Sequence, residues 1–127
     1  MRGRVLIAED HATMREAMRM VLAQEGYAVA EAGDGAAALR SIGEGRPDVL
    51  VLDLHMPVMD GAEVLEVLRA DPATTGLPVI VVTADDEEGR EFARRLGADE
   101  YVTKPFDPAA LLATVARVLA GAGSPAG

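Results

Sequence analysis

The sequence has no cysteine and no tryptophan, and only one of its twelve basic residues, Lys104, is a lysine. Without cysteine there are no disulfides and no thiolate metal sites, and a cytoplasmic location is expected. Two Tyr and two Phe supply no platform on which nucleobases could stack. A formal charge of −9 opposes direct contact with nucleic acid or with acidic membrane surfaces. No apolar run approaches the length of a membrane span, and Met1-Arg2-Gly3-Arg4 leads straight into a predicted strand instead of a secretory signal. What is present is a chain of 127 residues, 50% of them hydrophobic, which suits one domain with one core.

The most informative stretch runs from Pro47 to Gly61. Val49-Leu50-Val51-Leu52 is an unbroken run of β-formers, with Pro47 before it and Pro57, Asp60 and Gly61 after it. Such a run reads as a strand buried on both faces, as in the middle of a parallel sheet. Asp53 follows directly, so it falls at the carboxyl end of a central strand, where open α/β sheets place their ligands.

The other segments alternate around this strand. Arg4–Ala8 reads as a first strand, followed by a helix capped by Thr13, with Met14, Ala17, Met18, Val21 and Leu22 at helical spacing, and stopped by Gly26. Ala28–Ala32 reads as a weaker strand near an edge, and Gly33-Asp34-Gly35 as a turn. Ala36–Ile42 is predicted to form a short helix ended by Gly43 and Gly45. Gly61–Leu68 opens the next helix, which Asp71-Pro72 breaks. Pro78–Val82 is a fourth strand, with Thr83-Ala84 at its end. Asp86–Leu96 is a charged helix stopped by Gly97, with acid in its first turn and Arg in its last; Gly89 inside it should weaken it. Glu100–Thr103 is a fifth strand, followed by Lys104-Pro105-Phe106. Asp107 caps the last helix, Pro108 opens it, and Leu111, Leu112, Val115, Val118 and Leu119 form its apolar face. Residues 1–120 thus form the domain, and 121–127 a flexible tail or linker stub. Five strand–helix alternations demand a parallel sheet with right-handed crossovers and helices on both faces, a three-layer α/β sandwich.

In such a sheet all carboxyl ends lie along one edge, so Glu9, Asp10, Asp53, Thr83 and Lys104 should converge. Taken singly, each has a plain structural role: an Asp after a strand is a turn former, a Thr a β-former, a Lys-Pro pair a loop. Together they place three carboxylates, a hydroxyl and the sole lysine at one structural position on four strands. Clustered carboxylates repel one another, and a divalent cation relieves that conflict. All-oxygen ligands point to Mg²⁺ or Mn²⁺. An ammonium beside a carboxylate and a cation can clamp phosphoryl oxygens, and a carboxylate can act as nucleophile and become an aspartyl phosphate. Asp53 is the natural acceptor.

Glu9-Asp10, Asp53 within Leu52-Asp53-Leu54-His55-Met56-Pro57-Val58-Met59-Asp60-Gly61, Thr83-Ala84, and Tyr101-Val102-Thr103-Lys104-Pro105-Phe106 together resemble the signature of response-regulator receiver domains (CheY-like) in two-component phosphorelay signal transduction. The resemblance runs from about Val5 to Leu119, and Gly26-Tyr27, Ala32-Gly33-Asp34-Gly35 and Gly97-Ala98-Asp99 resemble the family's turns. It implies a flavodoxin-like (βα)5 fold with sheet order 2-1-3-4-5. It implies that Asp53 takes a phosphoryl group from the phosphohistidine of a sensor histidine kinase or histidine phosphotransfer protein. Asp10 and Asp53 would ligate Mg²⁺ directly, Glu9 through water, and the His55 backbone carbonyl would give a further ligand. Lys104 would pair with the phosphoryl group, its bond to Pro105 often being cis. Thr83 would turn to a phosphoryl oxygen and Tyr101 swing into the vacated space, switching the face of the fourth helix, fifth strand and last helix for a downstream protein. The resemblance implies a signalling switch, monomeric or dimerising on phosphorylation, with self-catalysed phosphotransfer and dephosphorylation as its only enzymatic activity.

Glu9 stands where the family more often has Asp. His11 and His55 are expected at the rim of the site, either as exposed loop residues or as groups that tune water access. Met14 and Met18 read as core; either one, if it pointed outward, would make the first helix a docking face for a kinase. A phosphatase with an Asp nucleophile usually needs a second acid two residues on, where this chain has His55. A flavin or nucleotide module needs a Gly- or Ser/Thr-rich loop where Glu9-Asp10-His11-Ala12-Thr13 stands. A stand-alone receiver and the receiver of a longer DNA-binding or enzymatic regulator both fit, the stand-alone form being preferred.

Overall fold

The computed structural model describes residues 2–84 and 87–122. In chain order it consists of β1 (Arg4–Ala8), α1 (Ala12–Gln24), β2 (Ala28–Ala32), α2 (Gly35–Glu44) and β3 (Val49–Asp53). There follow α3 (Gly61–Ala70), β4 (Val79–Ala84), α4 (Glu87–Arg95), β5 (Glu100–Lys104) and α5 (Pro108–Ala122). All strand pairs are parallel and the sheet order is β2-β1-β3-β4-β5, as expected.

Strand side chains alternate between faces, so the sheet sorts its own core into two layers. Leu6, Ala8, Leu50, Leu52, Val79 and Val81 meet Ala38 and Ile42 of α2, Val64, Leu65 and Leu68 of α3, and Ala93 of α4. Val5, Ile7, Val49, Val51, Ile80, Val82 and Val102 meet Met18 and Leu22 of α1 and Leu111, Val115 and Val118 of α5. Burial in β3 is continuous from Val49 to Asp53, whereas β2, on the edge, buries only Ala32. Met18 is in the core and Met14 packs against it; the exposed methionine of α1 is Met20, at 47%.

Helix ends depart from the sequence expectations in instructive ways. Thr13 does not cap α1: the helix starts at Ala12 and His11 is the capping residue, without a side-chain bond. The His11 N–H is taken by Glu9 Oε2 at 3.1 Å, so a residue outside the helix supplies the acceptor. Gly43 does not end α2, which starts at Gly35 behind Asp34 as cap and runs to Glu44; a side chain at Gly43 would meet open space. In α3 the capping box of Asp60 and Glu63 is complete. The predicted start of the fourth helix, Asp86, and residues 123–127 of the predicted tail lie outside the described residues, while Gly121 and Ala122 belong to α5. The Asp107 carboxylate accepts the Ala109 N–H at 3.2 Å, as its capping role requires.

Two glycines are set by close approach. A Cβ on Gly61 would lie 2.4 Å from the Asp53 carbonyl oxygen, and one on Gly35 would lie 2.2 Å from that of Met59. Both let helix starts close against the loop after β3. On the far edge, Arg69 ties α3 to the loop before β5: it donates to the carbonyls of Thr75, Leu77 and Gly97 and pairs with Asp99 at 3.2 Å.

The loop after β3 contains one backbone outlier. Met59 N–H donates to the Pro57 carbonyl at 2.7 Å, closing a three-residue γ-turn with Val58 at its centre and φ +68°. A β-branched residue is poorly suited to this region. Val58 is 82% exposed, so its side chain gains little burial in return. Val58→Asn should therefore raise stability by about 1 kcal/mol, because Asn tolerates this region with less strain. Urea unfolding should show a higher midpoint at unchanged slope; an unchanged or lowered midpoint would show that the turn costs nothing.

Candidate functional site

Register puts the acids side by side. Ala8 pairs with Leu52, so the next residues, Glu9 and Asp53, emerge level at the carboxyl edge. The Glu9 N–H continues the ladder to the Ala32 carbonyl at 3.0 Å. On the other side of β3, Asp53 pairs with Val82, Val82 with Val102, and Ala84 with Lys104. By strand alternation Glu9, Asp53 and Lys104 project to the α1/α5 side, and Thr83 and Tyr101 to the α4 side.

Glu9 and Asp53 are each 1% exposed, whereas Asp10 is exposed. One carboxylate oxygen from each of the three lies within 4.8 Å of the others. Lys104 Nζ is 3.0 Å from Asp53 Oδ1 and 3.9 Å from Glu9 Oε1. The His55 N–H donates to Asp53 Oδ1 at 3.2 Å. Glu9 Oε1 and Asp53 Oδ2 are buried without a hydrogen-bond partner. Two orphaned carboxylate oxygens facing a third acid make an all-oxygen donor set suited to a hard divalent cation.

Burial pushes the Glu9 carboxyl up to about 7; the His11 N–H opposes the shift, Asp53 adds to it, and Lys104 again opposes it. The first two acids of the sequence pattern therefore differ in kind. Glu9 is buried and reluctant to ionise, while Asp10 stands at the solvent rim.

Thr83 is buried at the end of β4 and Ala84 is exposed beyond it. Thr83 lines a cavity of about 320 Å³ with Leu54, His55, Ala84, Phe92 and Arg95. Tyr101 is 37% exposed, and a cavity of about 150 Å³ lies between α4 and β5, lined by Arg90, Ala93, Ala98 and Tyr101. The Lys104–Pro105 peptide is cis. His11 and His55 are both exposed, His55 at the cavity beside Thr83. The sequence reading had not singled out Arg15, whose Nη1 donates to the Glu9 carbonyl at 2.7 Å. A long basic side chain one turn inside a helix leans back toward the preceding loop, a signal available in the sequence.

With this geometry in view, comparison with known proteins is consistent at every level. Residues 5–116 match the response regulator receiver domain family. The chain is 42% identical over 116 residues to the DNA-binding response regulator MtrA of Mycobacterium tuberculosis, covering 91% of this chain and 50% of MtrA. It is 37% identical over 120 residues to the phosphate regulon transcriptional regulatory protein PhoB of Escherichia coli, covering 94% of this chain and 52% of PhoB. The chain thus spans about half the length of these curated relatives. Among solved structures, the chemotaxis response regulator CheY4 of Vibrio cholerae superposes with a TM-score of 0.84 at 33% identity, covering 91% of this chain and 97% of CheY4. The receiver domain of Francisella response regulator 1452 superposes with a TM-score of 0.85 at 31% identity, covering 92% of this chain and 96% of that one. The protein belongs to the response regulator receiver domain family and is a receiver of two-component signalling. Among the described residues no helix is long and apolar enough to cross a membrane.

The raised Glu9 value has a consequence for stability in the absence of divalent cations. A carboxyl whose folded value lies above its unfolded one, usually 4.5, contributes stability that is complete below 4.5 and is lost as pH rises through about 7. Glu9→Gln stays neutral at all pH values and keeps an acceptor for His11. Its stability relative to the parent should therefore rise by up to about 3 kcal/mol between pH ~5 and pH ~8. Urea unfolding in chelator at both pH values measures this; a constant difference would mean that Glu9 titrates normally.

Proposed function

We propose that Asp53 is the phosphoacceptor. A carboxylate oxygen attacks the phosphorus of a phosphohistidine on a sensor histidine kinase or phosphotransfer protein; the new P–O bond forms as the P–N bond breaks, and the imidazole leaves with its electron pair and takes up a proton. The observation that carries this reading is the Lys104 ammonium 3.0 Å from Asp53 at the end of the central strand, with the Glu9 and Asp10 carboxylates beside it.

Glu9, Asp10, Asp53 and the His55 backbone carbonyl would hold Mg²⁺, or Mn²⁺ in its place. Bound there, the ion would offset charge on the carboxylates and on the incoming phosphoryl oxygens. Lys104 holds the acceptor now and would hold the phosphoryl group afterwards. Thr83, with Ala84 beside it, would turn to hydrogen-bond a phosphoryl oxygen, and Tyr101, on the same face of the sheet, would swing inward into the space that Thr83 vacates. The face of α4, β5 and α5 would then be read by a downstream protein or by a second copy of the chain. Output through a partner and output through an attached domain use this same face. The charge of −9 supports a domain that does not itself touch nucleic acid, and the lack of cysteine fits a cytoplasmic location.

Acetyl phosphate with Mg²⁺ should add one phosphoryl group, seen by mass, and Asp53→Ala or a chelator should abolish it. A phosphoryl group that persists in Asp53→Ala places the acceptor elsewhere. Steady release of phosphate from a phosphate ester would make the site that of a phosphatase.

A further inference from the structure

Arg15 is tied to three parts of the fold at once. It sits on α1, one turn in, and leans back over the first turn of its helix. Its Nη1 donates to the Glu9 carbonyl at 2.7 Å, and its Nε donates to Glu31 Oε1 at 3.3 Å. Glu31 is on β2, where it pairs in register with Ile7 of β1. Arg19, one turn further along α1, lies 3.8 Å from the other Glu31 oxygen. The Arg15 side chain is only 24% exposed, so this bridge is partly shielded from water and salt.

The peptide it holds links the two N-terminal acids of the site. For Glu9 the bonding is then nearly complete. Its N–H goes to Ala32, its carbonyl takes Arg15, and its Oε2 takes the His11 N–H. Oε1 is the atom left over, buried and without a hydrogen bond, among the Asp10, Asp53 and Lys104 groups. Fixing every other polar atom of Glu9 leaves its free oxygen one direction to point. The backbone nitrogen of Asp10 is bonded to the carbon that bears the Arg15-bound oxygen, so the start of Asp10 is set by the same hydrogen bond.

We propose that Arg15 is a positioning residue: through the Glu9 carbonyl it holds the Glu9–Asp10 peptide so that both carboxylates converge beside Asp53 on the divalent cation. This rests on the cation-binding reading of the site. Outer groups of this kind orient ligands they do not replace, and their loss typically weakens metal affinity about 10–100-fold.

Charge and position make opposite predictions, which makes the test sharp. A guanidinium near three carboxylates makes the local potential less negative and so opposes a cation. If charge were its only effect, removing it would tighten Mg²⁺ binding. If Arg15 positions the peptide, Arg15→Ala should raise the Mg²⁺ Kd about tenfold, measured by titration calorimetry at pH ~8. Arg15→Lys keeps the charge and one donor atom but cannot bridge the Glu9 carbonyl and Glu31 with two separate nitrogens, and should recover much of the loss. Glu31→Gln, which leaves the guanidinium in place and loosens its far anchor, should weaken binding less than Arg15→Ala. Urea unfolding in chelator confirms that each variant is folded. Should Arg15→Ala not fold, Arg15→Gln carries the same comparison of sign. A variant without the guanidinium that is folded and binds Mg²⁺ as well as or better than the parent overturns the proposal. A parent that binds no Mg²⁺ at all overturns the cation reading itself, and with it this role.

Discussion

The ion pair between Lys104 and Asp53 is the interaction on which the rest of the arrangement depends. β3 and β5 are not neighbours; β4 lies between them, and the lysine has to reach across its end. That is possible only because the strand ends are level, a matter of register decided by the apolar residues beneath. Asp53 and Glu9 share a burial of 1% exposed, and carboxylates so placed are costly unless a cation faces them. One ammonium faces both, closer to Asp53, and burial holds the Glu9 carboxyl above its usual range. The fold concentrates negative charge at one edge and only partly compensates it, which leaves the edge receptive to a further cation.

The same alternation that divides the core also divides the site. The charged groups stand on the α1/α5 side of the sheet and Thr83 with Tyr101 on the α4 side. β4 is the strand between β3 and β5, so Thr83, next to its last residue, lies between the strands that carry Asp53 and Lys104. α4 buries only Ala93 and carries Gly89 in its interior, so little apolar contact fastens it to the sheet. At its far end Arg69 fixes Gly97, which has φ +88°, by two bonds to one carbonyl. The helix is therefore anchored firmly beyond its C-terminus and lightly along its length.

Much of this was legible in the residues. Apolar runs of strand length, each followed by a polar residue of a distinct type, disclose both the sheet and its functional edge. The features that escaped are those in which one side chain serves a backbone group far away in sequence. Thr13 had the right chemistry for a cap, but Glu9 takes the His11 N–H and the helix starts a residue before Thr13. Gly43 looked like a stop and is a tolerated helical residue, because nothing near it competes for the chain. Gly61 reads as the first residue of a helix; what requires glycine there is the Asp53 backbone pressed against it. Arg69 holds carbonyls as many as 28 positions away, and Arg15 one six positions before it; neither leaves a periodic mark. Val58 reads as an ordinary β-former, and only the closed loop shows that it is bent into a conformation it does not favour.

The scarcity of lysine has a practical side. Apart from the α-amino group, Lys104 is the sole primary amine in the chain, and its side chain is about one-third exposed. An acylating or reductively alkylating reagent therefore has a single internal target, and that target is salt-bridged to Asp53. Reductive methylation, which keeps the positive charge, would place a reporter inside the charged cluster that responds to whatever alters the hold of the aspartate on its partner, whereas acylation would remove the charge and with it the ion pair.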